Sequence, residues 1–223
     1  MDTEKFAGDK KVGKSILADI EAKFIQKTLP FVPKFLETYH LTLMTIVWSG
    51  LIALFGYLAQ EDRSWFHLIS VMVFMQYLSD VYDGKVGRLK NTGLIKWGFY
   101  MDHFLDYIFL GSILTAYSFQ VPPQLQFYGF LTALFIIGLM MNSYLAFSAT
   151  NQFKIAYLGI GATEGRLLFI LATTLIIIFG FKYLLIALPY LAAFSFLGLA
   201  LVVFRKQRQI WKIDMEEKAR NTQ

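Results

Sequence analysis

Residues 79–106 read Ser79-Asp80-Val81-Tyr82-Asp83-Gly84-Lys85-Val86-Gly87-Arg88, then nine residues, then Gly98-Phe99-Tyr100-Met101-Asp102-His103-Phe104-Leu105-Asp106. The acids are three apart in the first half and four apart in the second, so on helices each pair shares a face. Eighteen residues separate Asp83 from Asp102, and beyond Gly84 they include Gly87, Gly93 and Gly98. That is enough for a turn between adjacent antiparallel helices, and it brings four carboxylates to one level.

The sequence on either side says what kind of helices these are. A bilayer core about 30 Å thick is crossed by roughly 20 apolar residues, and six stretches qualify: Leu41–Ala59, Trp65–Tyr82, Trp97–Tyr117, Leu125–Phe147, Thr163–Phe181 and Tyr183–Phe204. The first, fourth and sixth carry no charge, whereas the others have acids at one end: Asp80, then Asp102 and Asp106, then Glu164. Composition agrees, since 56% of the 223 residues are hydrophobic and only 17% charged, away from the balance of soluble domains and far from that of disordered chains. With no cysteine, disulfides, thiolate zinc sites and cysteine nucleophiles are excluded.

The fold class expected is therefore an all-α integral membrane protein, six transmembrane helices behind an N-terminal interfacial amphipathic helix. Three regions follow: a cytoplasmic segment 1–40, a membrane domain 41–204 and a cytoplasmic tail 205–223. In the first, Ile16, Ile20 and Phe24 recur every four residues beside Leu17 and Ile25, with Asp19, Glu21, Lys23, Gln26 and Lys27 opposite, the pattern of a helix lying on a membrane until Pro30 and Pro33 break it. A solvated tail is the alternative. No signal peptide is evident. Nineteen of the 21 Lys and Arg residues fall on one side of the six crossings, leaving only Arg63 and Lys182 opposite. By the positive-inside rule both termini and the acidic helix ends face the cytoplasm. The net charge of +5 then belongs to an anionic lipid face, with nucleic acid not expected as a partner.

Four anions this close, partly at lipid depth, repel one another unless protonated or bridged by cations. An all-oxygen ligand set suits Mg²⁺ or Mn²⁺ holding a pyrophosphate and suits zinc poorly. Gly84 and Gly87 leave room for a nucleotide, and Arg88 offers a bidentate phosphate contact.

The pattern resembles the signature of the CDP-alcohol phosphotransferase (CDP-alcohol phosphatidyltransferase) family: Asp, two residues, Asp-Gly, two residues, Ala-Arg, eight or nine residues, Gly, three residues, Asp, three residues, Asp. Every element is in register except that Gly87 stands where alanine is usual. The resemblance covers nearly the whole chain and implies the six-helix architecture, usually as a homodimer. It also implies transfer of a substituted phosphate group from a CDP-linked alcohol to an acceptor alcohol, with CMP leaving, in phospholipid synthesis. Asp80, Asp83, Asp102 and Asp106 would hold the metal, two ions in all. Asp106 would also be the catalytic base. Asp80, Asp83, Gly84, Gly87, Arg88 and Gly98 would surround the nucleotide and its phosphates, with the cytidine near a Gly84–Arg88 turn.

His103 after Asp102 is similar to the Asp-His pair of the choline and ethanolamine phosphotransferase branch; a packing histidine is the other reading. The run Gly161-Ala162-Thr163-Glu164-Gly165-Arg166 is similar to that branch's Gly-Pro-Thr-Glu stretch, with alanine for proline. Glu164 and Arg166 would then be acceptor or head-group residues, unless they simply neutralise each other. Together these features favour a CDP-linked head group passing to diacylglycerol over CDP-diacylglycerol reacting with a small polar alcohol. Thr42, Thr45, Asn142 and Ser143 are expected to hydrogen-bond between helices. Two rival classes use similar acids. Intramembrane prenyltransferases separate their aspartate motifs by more chain, and cation transporters place their sites nearer the midplane.

Overall fold

The computed structural model describes residues 10–12, 16–154 and 161–221. Parts of the expected N-terminal segment (1–9 and 13–15) and of the tail (222–223) lie outside the described residues. The elements are β1 (Lys10–Val12), α1 (Ala18–Thr28), α2 (Thr38–Leu58), α3 (Phe66–Lys90), α4 (Ile95–Ser118), α5 (Gln126–Thr150), β2 (Gln152–Lys154), α6 (Ala162–Phe179) and α7 (Lys182–Asn221). β1 and β2 are three-residue strands paired in parallel; everything else of substance is helical.

Four of the helices, α2, α5, α6 and α7, are long and apolar enough to cross a membrane, and the chain is a membrane protein. α3 and α4 are as long, and they are also the two that carry the aspartate motif. α2 lies against both of them, α6 covers α3, and α5 packs on α7. The tight centre is formed by Ile52 of α2, Phe66, Ile69 and Val73 of α3, Phe109 and Ile113 of α4, and Ile176 of α6. Elsewhere large apolar side chains face outward, among them Phe194, Phe130 and Leu201, as surfaces meeting lipid do.

Gly56 lets α2 and α4 approach: a Cβ there would lie 2.4 Å from the Cα and Cβ of Ala116. Small residues serve this purpose where helices associate in lipid. At the other end of α2, Lys90 Nζ ties α3 to the α2 entry, donating to the carbonyls of Lys34 and Leu36 and to Glu37 Oε1 at 2.7–3.0 Å.

Two boundaries differ from expectation. The second crossing was expected to end at Tyr82 with a turn at Gly84–Arg88, but α3 continues to Lys90 and those residues are helical. Glycine costs only about 1 kcal/mol in a helix interior, too little to break a helix whose other residues favour it. The turn comes later, where Asn91 (φ 50°) and Gly93 (φ 70°) take left-handed backbone, the conformation that ends helices. Likewise α7 runs unbroken from Lys182 to Asn221 through Pro189, so 205–221 is an extension of the last helix.

Candidate active site

The site lies where the C-terminal part of α3 meets the N-terminal part of α4 and the first turns of α6. Ligand oxygens of Asp80, Asp102 and Asp106 all come within 4.8 Å of one another, each side chain half-buried. The i, i+4 spacing puts Asp102 and Asp106 on one face of α4, and Asp80 meets them across the seam. Asp83, three residues on, is outside this tight group. Thr42 of α2 donates to its Oδ2 at 3.0 Å, and Thr38 donates to its backbone carbonyl at 2.8 Å. The sequence thus brings three of the four acids into direct convergence and the fourth beside them, steered by threonines of α2.

Arg166 enters from α6, almost wholly buried. Its Nη2 is 2.9 Å from Asp80 Oδ2 and 3.4 Å from Asp106 Oδ1. Nε donates to Gln76 Oε1 at 2.7 Å, and the guanidinium sits 5.8 Å from the Phe109 ring centre. The alternative that Arg166 and Glu164 merely neutralise each other does not describe this arrangement. Glu164 instead closes the start of α6, Oε2 accepting from the Gly161 N–H at 2.8 Å, while Oε1 accepts from the Leu17 N–H at 2.9 Å. It is also where α1 docks, helped by Thr163, which donates to Glu21, and by Tyr82, which donates to Thr28 Oγ1 at 2.6 Å.

The nucleotide-side residues are separately placed. A Cβ at Gly84 would be 3.7 Å from both terminal nitrogens of Arg88, so the guanidinium folds over that bare patch of helix. Gly87 faces Thr38, and Gly98 faces open space. His103 packs between Phe99 and Tyr144, ring centres 4.2 and 5.3 Å away. Its Nδ1 lies 2.8 Å from the Phe99 carbonyl and 3.7 Å from Asp102 Oδ2. With Tyr107 and Tyr144 it borders a largely apolar cavity of about 680 Å³ between α4 and α5. Tyr144 donates to the His103 carbonyl at 2.9 Å.

Of the expected interhelical donors, Thr42 holds Asp83, whereas Ser143 turns back to the Leu139 carbonyl of its own helix. Sequence reasoning passed over Gln76, Thr38 and Tyr144. A signal existed for Gln76: a polar amide inside a membrane helix, four residues before Asp80, is costly unless partnered.

The donor set is a fit for a hard divalent cation: carboxylate oxygens, partly buried and close enough to share an ion, with no sulfur ligand and none of the nitrogen-rich character zinc prefers. A helical membrane protein with such a carboxylate cluster between neighbouring helices is of the class that can hold a divalent cation and, through it, a phosphate ester. More narrowly, residues 33–204 match the CDP-alcohol phosphatidyltransferase family, and the chain belongs to it. Membership carries transfer of a phosphate-linked group from a CDP-alcohol, in phospholipid synthesis. No curated protein and no solved structure matches the chain.

Proposed function

We propose that this chain is a metal-dependent CDP-alcohol phosphotransferase with its active site at the Asp80–Asp102–Asp106 cluster, and that it moves a CDP-linked polar head group of the choline or ethanolamine type onto diacylglycerol. The observation that carries this is the convergence of those three carboxylates on two neighbouring helices. They and Asp83 would hold Mg²⁺ or Mn²⁺, which when bound neutralises charge on the pyrophosphate and on the departing CMP. Asp106 takes the proton of the acceptor hydroxyl. The hydroxyl oxygen bonds to the phosphorus that carries the head group, the bond from that phosphorus to the bridging oxygen breaks, and CMP leaves with that oxygen. Arg88 and the bare helix surface at Gly84 receive the nucleotide phosphates, while Gly87, packed on Thr38, shapes that stretch of α3 from behind.

The reading includes six crossings, α2–α7, in a membrane domain 41–204 flanked by the 1–40 and 205–223 segments, with α1 on the membrane surface and both termini and the site cytoplasmic. The acids lie in the C-terminal half of α3 and the N-terminal half of α4, the halves that this orientation turns toward the cytoplasmic side, and the Lys and Arg distribution supports it. Pairing of two copies is carried over from the family resemblance.

CDP-diacylglycerol reacting with a small polar alcohol is the second reading. What favours it is that Glu164, one of two residues tying the chain to the choline and ethanolamine branch, is engaged in capping α6. Purified protein with Mn²⁺ or Mg²⁺, offered CDP-choline or CDP-ethanolamine with diacylglycerol, or CDP-diacylglycerol with inositol phosphate, glycerol phosphate or serine, separates the two by CMP release. Asp106→Asn should lower turnover by at least about 100-fold and Asp83→Asn should abolish it. Unchanged turnover in both refutes the site. Activity only with CDP-diacylglycerol refutes the head-group reading.

A further inference from the structure

Arg166 is given no part in the chemistry proposed above, yet it is the most deeply placed charge in the site, with 6% of its side chain accessible. A guanidinium keeps its charge at any accessible pH, and a buried one needs partners. Here the partners are two of the acids proposed to hold metal: Nη2 bridges Asp80 Oδ2 and Asp106 Oδ1 at 2.9 and 3.4 Å. Its other edge is fixed, since Nε is held by Gln76, itself 1% exposed, and Phe109 lies under the guanidinium.

The arrangement answers a question that the carboxylate cluster raises. Three acids whose oxygens lie within 4.8 Å repel strongly in a partly buried site, and a fixed cation offsets that repulsion. The same oxygens cannot fully accept from the Nη2 N–H groups and coordinate a divalent ion together, and two cations a few Å apart disfavour each other.

We propose that Arg166 is the resident counter-cation of the site: it bridges Asp80 and Asp106 when no divalent ion is bound, gives up those oxygens to incoming ions, and so sets the affinity of the site for them. This rests on the metal reading above. Gln76 is its positioning residue. The fold supplies the bridge from a third helix, α6, whose arginine spans an acid of α3 and an acid of α4.

The test is a Mn²⁺ titration of the purified protein, following the magnetic-resonance signal of free Mn²⁺, with the thermal unfolding midpoint measured with and without the ion. Arg166→Gln removes the charge and should bind Mn²⁺ at least about tenfold more tightly. Its midpoint without Mn²⁺ should fall, and its Mn²⁺-induced rise should exceed that of the wild type. Equal or weaker Mn²⁺ binding by Arg166→Gln overturns the proposal. Should that variant yield no folded protein even in Mn²⁺, Arg166→Lys decides. An ammonium keeps the charge without the planar fork that spans two carboxylates, so Mn²⁺ binding should tighten by about threefold, and no change or a weakening overturns the inference. Failure of the underlying metal reading looks different: the wild type and Asp102→Asn would then bind Mn²⁺ equally.

Discussion

Replacing Gly87 by alanine restores the residue usual in the family and tests why this chain lacks it. A Cβ at Gly87 would lie 3.1 Å from Thr38 Oγ1, 3.5 Å from Thr38 Cβ and 3.6 Å from Thr92 Oγ1. Alanine in place of glycine inside α3 contributes up to about 1 kcal/mol through helix propensity. Against that, Thr38 must give by a few tenths of an ångström, disturbing its 2.8 Å hydrogen bond to the Asp83 carbonyl, an interaction of about 1 kcal/mol. The two terms cancel, so Gly87→Ala alone should change stability by less than about 0.5 kcal/mol. In a Thr38→Ala background the hydroxyl is gone, the remaining contact is ordinary, and Gly87→Ala should stabilise by the full amount, about 1 kcal/mol. The predicted coupling of about 1 kcal/mol is above the few tenths at which distant sites add. Reversible denaturation of the four proteins in mild detergent, followed by tryptophan fluorescence, measures it. Equal effects of Gly87→Ala in both backgrounds would refute the idea that Thr38 occupies the place of the family's alanine methyl.

Gly56→Ala puts a methyl 2.4 Å from the Cα and Cβ of Ala116, where helix backbone rather than a flexible tip must move. It should cost about 2–3 kcal/mol and lower the thermal midpoint in detergent markedly. Gly138→Ala meets only the end of Leu199, at 2.9 Å, and should cost less than about 1 kcal/mol; equal losses in the two variants would contradict the close α2–α4 approach. Chelation should abolish CMP release and Mg²⁺ or Mn²⁺ restore it, with Zn²⁺ a poor substitute for an all-carboxylate set. Turnover surviving exhaustive chelation would remove the metal assignment.

Helices and acids were legible because each rests on local pattern. Apolar runs of crossing length mark α2, α5, α6 and α7, and the spacing of Asp80, Asp83, Asp102 and Asp106 carries both geometry and family. The end of α3 was not, because glycine at Gly84 and Gly87 is a weak breaker and the true stop depends on the backbone of Asn91 and Gly93. Charge pairing was less legible still. Glu164 and Arg166, two residues apart, looked like mutual partners, but positions i and i+2 do not face each other on a helix. One reaches back to cap α6 and meet α1, while the other reaches the acids of α3 and α4. Which partner a buried charge takes is settled by the packing of three helices, and no local window contains that information.

The role of α2 follows from the same packing. It contributes no acid, yet it touches both helices that do, and it grips each differently. Near its start Thr38 and Thr42 hold Asp83 on α3, and near its end the bare surface of Gly56 seats Ala116 of α4. These grips are eighteen residues apart, about 27 Å along the helix at 1.5 Å per residue. α2 is therefore a strut whose start fixes α3 at Asp83 and whose end fixes α4 at Ala116. The level at which Asp102 and Asp106 meet Asp80 depends on both fixings together. A site of converging carboxylates gains from such a strut, because the acids themselves push the two helices apart, and packing along α2, with Arg166 between the acids, opposes that push.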